Sequence, residues 1–354
     1  MIALEGVSKT YPKQQRPAVA TLDLEVPEGA IVMLIGPSGC GKTTTLKMMN
    51  RLIEPTTGRI VLDGEDVTAV NADQLRRRIG YVIQQVGLFP HLNVADNVAV
   101  VPKMLGWDRN RITARVEELL YLVGLEPKDF RDRYPRQLSG GQQQRVGVAR
   151  GLAADPPVML MDEPFGAIDP ITRDRLQDEF LVLQQQIAKT ICFVTHDLDE
   201  AVKLGDRIAV FGPGGQLRQY DTPDEVLTNP ADDYVAEFVG SGAAVRRLSL
   251  LELSRLELDQ VAVAGGGPGP ANGHPVLVVD DSGRPTAWQH LPGLAEPPPL
   301  VTVPLSGTVY DAVDVMLDGR TPVVAVVDDD RQPRGLLRWD ALVGDLRTKG
   351  RRTR

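Results

Sequence analysis

With 354 residues, 42% of them hydrophobic, the chain is long enough for two or three domains with ordinary cores. Its net charge of −8, from 47 acidic against 39 basic side chains, leaves no basic excess on either side of residue 240, which excludes the electrostatic footprint of a nucleic-acid binder. The longest apolar runs, AIVMLIG and VMLM, fall far short of the ~20 residues a membrane helix needs. MIALEGVSKT lacks a signal-peptide pattern, so a soluble chain, free to dock on something in a membrane, is expected. The two cysteines, Cys40 and Cys192, do not make a disulfide framework and fit a reducing cytosol.

In chain order, IALEGVSKTY, AVATLDLEVPEG, AIVMLIG and GRIVLDGEDV read as strands within residues 1–67, and a helix follows the glycine loop GPSGCGKTT. From about 90 to 155 the periodicity turns helical, most clearly in RITARVEELLYLVGL. VMLMDE (158–163) and ICFVTHD (191–197) are apolar without alternation, which fits parallel strands covered on both faces. RDRLQDEFLVLQQQIA lies between them, as a strand–helix–strand crossover requires. Gly240–Ser241–Gly242 is a plausible boundary between a domain at 1–240 and another at 241–354.

Beyond it, PVLVVDDSGRPTAW (275–288) and VVAVVDDDRQPRGLL (323–337) match at an offset of 48 residues, with Asp280 on Asp328, Pro285 on Pro333 and Ala287 on Gly335. Each is an apolar strand, an acidic turn and a second strand, so a small tandem-repeat domain is expected. The linker VAVAGGGPGPANG precedes the first copy. The final LRTKGRRTR reads as a solvated tail, with a role at phosphate or anionic lipid as the alternative.

Gly36, Pro37, Ser38, Gly39, Cys40, Gly41, Lys42 and Thr43 fit G-x-x-x-x-G-K-[ST], between an apolar strand and a helix that Thr44 continues. Glycines there let backbone N–H groups converge on phosphate oxygens, and the helix N-terminus adds positive potential. Lys42 is expected to reach the β and γ phosphates of ATP, and the Thr43 hydroxyl to help hold Mg²⁺. VMLMDE ends in two carboxylates at the edge of a parallel sheet where ligands bind. Asp162 would hold Mg²⁺ through water, and Glu163 would accept a proton from the attacking water. Taken alone, such a pair is as often only a strand end. His196, taken alone, is more often a surface cap than a catalyst. Gln84 is weak by itself, though a neutral amide can ligate Mg²⁺ or orient water.

The stretch Gln137 to Val146, QLSGGQQQRV, holds no carboxylate, histidine or thiol, yet sets two glycines before a helix-like run. A phosphate loop, then LSGGQ, then a strand ending Asp-Glu, then a strand ending in His is an order that resembles the ABC-type ATPases over residues 1–240. The resemblance implies an α/β fold: a P-loop ABC ATPase core with an antiparallel β subdomain and a helical subdomain at about 88–155. It implies that Ser139, Gly140, Gly141 and Gln142 serve ATP held by the P-loop of a second subunit, in a head-to-tail, ATP-dependent homodimer. Tyr11 matches the aromatic that stacks on adenine, Gln84 the Q-loop glutamine, Asp169 the D-loop aspartate, and His196 the switch histidine. GLFPHLNVADNV looks like the segment that receives a coupling helix from a transmembrane permease. Gly166 stands where many relatives have serine.

IGYVIQQVGLFPHL, DEPFGAIDPITRDRLQDE and QYDTPDEVLTNPADDYVAEFVG look most like ATPases of quaternary-amine importers for glycine betaine, carnitine or choline. The tandem repeat is similar to a pair of CBS modules, giving a smaller α+β regulatory domain after the ATPase. Such modules tend to end in Gly, two apolar residues, Thr, two residues and Asp. Here GLLRWDA sets Arg338 at the Thr place and Ala341 at the Asp place, and AWQHL lacks Gly and Thr, which favours a structural or ionic-sensing module over a nucleotide site. The resemblance implies a peripheral subunit on the cytoplasmic face of the membrane, with permease partners, indirectly a substrate-binding protein, and no nucleic acid. The alternatives are an ATPase of another small-solute importer, such as one for polar amino acids, a soluble non-transport ABC ATPase, and a nucleotide sensor without turnover.

Overall fold

Residues 1–13, 15–84, 87–166, 168–265, 275–291 and 296–342 are described by the computed structural model. The glycine-rich linker, from 266 to 274, and the basic tail, from 343, lie outside the described residues. The chain divides into two compact units, Met1–Gly240 and Ser241–Arg354.

The strands of the first unit are, in chain order, β1 (Ile2–Lys9), β2 (Val19–Val26), β3 (Ile31–Ile35), β4 (Thr57–Leu62), β5 (Glu65–Asp66), β6 (Ile79–Val82), β7 (Val158–Asp162), β8 (Thr190–Val194), β9 (Arg207–Gly212) and β10 (Gln216–Asp221). They form two sheets. One is antiparallel, in the order β2-β1-β4-β5. The other runs β10-β9-β3-β8-β7-β6 and is parallel except for β10 at its edge.

Every residue of β3, β7 and β8 is buried, because helices and the second sheet cover both faces of the parallel sheet. Leu4, Leu22, Ile60, Leu34, Leu160 and Phe211 belong to one apolar core spanning both sheets. Since β3, β8 and β7 are neighbours, the segments that follow them open side by side at one edge of the sheet.

Between β6 and β7 the chain is helical, with helices at Val94–Val98, Val100–Met104, Arg109–Leu122 and Gly140–Leu152. Asn97, fully buried, fastens the loop before them. Its Oδ1 accepts from the Phe89 amide at 2.8 Å, and its Nδ2 donates to the carbonyls of Phe89, Leu92 and Asn93 at 3.2, 3.0 and 2.9 Å. Arg150, near the end of the helix Gly140–Leu152, donates from Nη1 to the Gly87 carbonyl at 2.7 Å and lies over the Phe89 ring.

The second unit contains β11 (Ala262–Gly265), β12 (Val276–Val279), β13 (Pro285–His290), β14 (Thr302–Pro304), β15 (Val323–Val327) and β16 (Pro333–Arg338). They form two three-stranded sheets of one topology, a parallel pair followed by an antiparallel hairpin. The offset of 48 holds atom by atom in the hairpin turns. Asp280 Oδ1 accepts from the amides of Ser282 and Arg284, and Asp328 Oδ1 from those of Asp330 and Gln332.

Gly283 and Arg331 take the same left-handed place, at φ 77° and 61°. Residues 305–322 of the second copy hold the helix Val309–Asp318, whereas the segment between β11 and β12 in the first lies, except for Pro275, outside the described residues. The two turns also touch: Gln332 Nε2 donates to the Ser282 carbonyl at 2.7 Å, and a Cβ on Gly283 would collide with the Gln332 side chain.

Candidate active site

The loop Gly36–Thr43 leaves β3 and enters the helix Lys42–Met49. Gly36 and Gly41, at φ 145° and 99°, press against the carbonyls of Phe211 and Ala18 so closely that no Cβ fits. Pro37, Ser38 and Gly39 form its exposed crest, and Cys40 is buried beneath. Lys42 is buried, its Nζ donating to the carbonyls of Gly36 and Pro37 at 2.6 and 3.0 Å. No side chain caps the start of the helix, so its first N–H groups are available to an external anion. A loop this tight, with an ammonium folded into it, fits a phosphate chain.

Thr43 Oγ1 donates to Asp162 Oδ1 at 3.0 Å, joining the loop to the end of β7. Burial pushes the Asp162 carboxyl above the usual carboxylate range and the neighbouring Glu163 adds to the rise, while the Thr43 bond opposes it. Among the described residues no cluster of three or more His, Cys, Asp or Glu is placed to hold a metal ion. A hydroxyl, a carboxylate and the amide of Gln84 are hard oxygen donors that suit Mg²⁺ completed by phosphate and water oxygens.

Glu163 steps off β7 in the left-handed region, at φ 44°, and its amide donates to the Val194 carbonyl of β8 at 2.9 Å. A non-glycine residue held there carries strain of a kind that clusters at functional sites. Its Oε2 accepts from Gln84 Nε2 at 2.8 Å, and its Oε1 lies 3.2 Å from His196 Nδ1. The structure therefore brings Gln84, Glu163 and His196 into one group, beside the Thr43–Asp162 pair. Gly166 lies against Glu163, yet a Cβ there would make only ordinary contacts, so space alone does not demand a glycine.

Ser139 caps the helix Gly140–Leu152 by a reciprocal box. Its Oγ accepts from the Gln142 amide at 3.3 Å, and its own amide donates to Gln142 Oε1 at 3.0 Å. The hydroxyl proton of Ser139 is left to donate outward. Gly141 packs on Thr172 and Leu176, but a Cβ on Gly140 would meet nothing within 4 Å. Asp169 caps the helix Pro170–Ile187, and the Thr172 amide bond holds its carboxyl below the usual range.

The Tyr11 ring has Lys9 Nζ 5.4 Å from its centroid. Among the described residues no hydrogen bond ties Tyr11, Ser139, Gln142 or Asp169 to the group around Lys42 and Glu163. Asn97 and Arg150 escaped sequence reasoning. Nothing in a helical frame announces which amide is buried, or that Arg150 returns to Gly87.

Comparison with known proteins gives one family model, described as ABC transporter, that matches residues 19–166. The chain is 42% identical to the osmoprotectant import ATP-binding protein of Salmonella typhimurium, over 100% of this chain and 98% of that one. It is 54% identical to the glycine betaine/carnitine/choline transport ATP-binding protein of Bacillus subtilis, over 73% of this chain and 66% of the relative, just under two thirds of its length. Among solved structures, a bacterial ABC transporter cassette solved as a dimer is 35% identical with a TM-score of 0.57, covering 63% of this chain and 99% of the other.

Proposed function

Because the chain belongs to the ATP-binding subunits of ABC transporters, an α/β P-loop ATPase family, we propose that it energises uptake of quaternary-amine osmoprotectants such as glycine betaine, carnitine or choline. The names of the relatives support the substrate class. The observation that carries the hydrolytic part is Glu163, held between Gln84 and His196 next to the Thr43–Asp162 pair.

In this reading the Gly36–Thr43 amides and Lys42 bind the phosphates of ATP, and Tyr11 stacks on the adenine. Mg²⁺, held by Thr43, Asp162 and Gln84, supplies charge neutralisation at the phosphates. Glu163 Oε1 or Oε2 takes the proton of the attacking water. His196, largely exposed, swings from Glu163 to the γ-phosphate when nucleotide is present. Two copies face each other head-to-tail, so that Ser139, Gly140, Gly141 and Gln142 of each meet the nucleotide held by the other, with Asp169 at the junction.

The loop 87–93 receives the coupling element of a transmembrane permease at the cytoplasmic face, and a substrate-binding protein delivers the solute. Arg150 and Asn97 support that role, since Arg150 fastens this loop to the helix that Ser139 begins and Asn97 fastens it to the helix Val94–Val98. Domain 241–354 is a CBS-pair-like regulatory module. Arg338 is paired with Asp340 at 2.8 Å and lies 3.9 Å from Asp259, so charge inside the module already occupies it, which supports ionic sensing over nucleotide binding.

Two measurements test this. Purified wild type should hydrolyse ATP and Glu163→Gln should not; equal, negligible rates at high protein concentration would instead mark a nucleotide sensor. Labelled glycine betaine uptake, in cells lacking this gene and carrying either form, should appear with wild type alone and rise with osmolarity. Equal uptake in both strains discards the substrate and keeps the ATPase.

A further inference from the structure

Beside Glu163 lies a small, partly open pocket walled by Glu163, Arg173, Thr195, His196, Asp197 and Glu200, with room of about 10 Å³ for the centre of a water molecule. That is enough for one water, provided polar partners face it. Two such groups are buried there without a role in the site described above. Arg173 Nε is buried and finds no acceptor among the described residues. Glu200, 6% exposed, accepts from Gln177 Nε2 at 3.0 Å and from the Thr195 side chain, and a carboxylate has lone pairs left for a further donor.

The other two nitrogens of Arg173 are spoken for by different segments. Nη2 donates to the Ile168 carbonyl at 2.9 Å, next to Asp169, and Nη1 lies 3.7 Å from Asp197 Oδ2, next to His196. Asp197 in turn fixes the start of the helix Leu198–Leu204 that carries Glu200, accepting from the amides of Asp199 and Glu200. A planar fork with three separate tasks is something a lysine cannot reproduce.

We infer that Arg173 and Glu200, joined by one water, form a brace beside Glu163 that holds the Ile168–Asp169 segment and the His196–Asp197 loop in a fixed relation. Both are positioning residues for ATP hydrolysis, and the inference rests on the hydrolytic reading of Glu163. The water accepts from Arg173 Nε and donates to the Glu200 carboxylate, so no charged group is left unbonded. Asp169 is turned toward the partner subunit in the proposed dimer while His196 attends the subunit's own nucleotide, so the brace spans the two sites.

The test is steady-state ATPase of the purified full-length chain. Arg173→Met and Glu200→Leu should each lower kcat about tenfold, with KM for ATP within about twofold, because misplacing a catalytic group acts on turnover. Glu200→Gln should keep most of kcat, since its amide still bonds Gln177 and the water. The double variant Arg173→Met/Glu200→Leu should lose no more than the worse single, as both act through one water.

Wild-type kcat in Arg173→Met, losses that multiply in the double variant, a rise in KM at unchanged kcat, or Glu200→Gln as poor as Glu200→Leu would each overturn the brace. If Arg173→Met fails to fold by circular dichroism, Arg173→Lys is judged by the same criterion. A wild-type rate that survives Glu163→Gln overturns the hydrolytic reading and the brace with it. Glu163-dependent turnover that Arg173→Met leaves intact overturns the brace alone.

Discussion

Replacing Asn97 by Asp changes one NH₂ to an oxygen and almost no volume, and should nevertheless be among the most damaging substitutions outside the catalytic group. The Nδ2 donates to three carbonyls, of Phe89, Leu92 and Asn93, at 3.2, 3.0 and 2.9 Å, in a side chain that is fully buried. The two Nδ2 protons are shared among the three carbonyls, so at ~1 kcal/mol net for each hydrogen bond lost the substitution costs about 2 kcal/mol before counting the repulsion of a carboxylate facing carbonyl oxygens. For a unit of the size of Met1–Gly240, 1 kcal/mol shifts Tm by about 2–4 °C, so a fall of roughly 4–8 °C is expected.

The loop from Gly87 to Asn93 should exchange its amide hydrogens faster in proportion. Basal ATPase should persist below the new Tm, because Asn97 touches none of the phosphate loop, Asp162 or Glu163. Stimulation by the permease should be lost, since the receiving loop no longer holds one shape. Scanning calorimetry and hydrogen exchange read the first part, and ATPase in reconstituted vesicles the second. A Tm within about 2 °C of wild type would refute the hydrogen-bond argument. A lowered Tm with full stimulation would refute the role of the loop.

Gly140→Ala should leave Tm unchanged or raise it, because its Cβ meets nothing in the chain and alanine favours a helix start by up to ~1 kcal/mol. It should still abolish ATP-driven dimerisation by light scattering, where the partner's phosphate needs the space; normal dimerisation would remove that glycine's proposed role. Gly41→Ala, at φ 99° against the Ala18 carbonyl, should instead lower both Tm and ATP affinity, and a silent variant would contradict the packing.

Burial raises the Glu200 carboxyl above its ordinary value near 4.5. Ionised Glu200 therefore costs stability at neutral pH, and the cost disappears as pH falls through the raised value to the ordinary one. Glu200→Gln should accordingly raise Tm at neutral pH and lose that advantage in acid, and an advantage that grows in acid would reverse the assigned sign.

The parts legible in the sequence are those whose requirement is local. GPSGCGKTT is readable because Gly36 and Gly41 must adopt positive φ within a few residues of Lys42. β3, β7 and β8 are readable because burial on both faces leaves unbroken apolar runs. The repeat at 48 is readable because a single aspartate per copy nucleates each turn.

What was not legible depends on partners far along the chain. Arg150 finds Gly87 across 63 residues, and Gln84 finds Glu163 across 79. Arg173 and Glu200 carry no signal in the sequence, and it is the fold that turns Glu200 and the Nε of Arg173 inward. Glu163 keeps its amide on the Val194 carbonyl of β8 while its backbone turns left-handed, a combination no propensity of glutamate announces.

The two hairpin turns of the second unit share a design, but they are no longer exchangeable. Gln332 lies across the place where residue 283 would carry a side chain, and it bonds the Ser282 carbonyl. Arg331, the counterpart of Gly283, carries a full arginine at a similar φ. Recombination that copied the second hairpin over the first would set an arginine against the Gln332 side chain, which would have to move, whereas the reverse copying would replace Gln332 by the arginine of its counterpart, Arg284, and lose its bond to Ser282. Either copying therefore unmakes the contact between the two turns, which depends on glycine at 283 in one half and glutamine at 332 in the other.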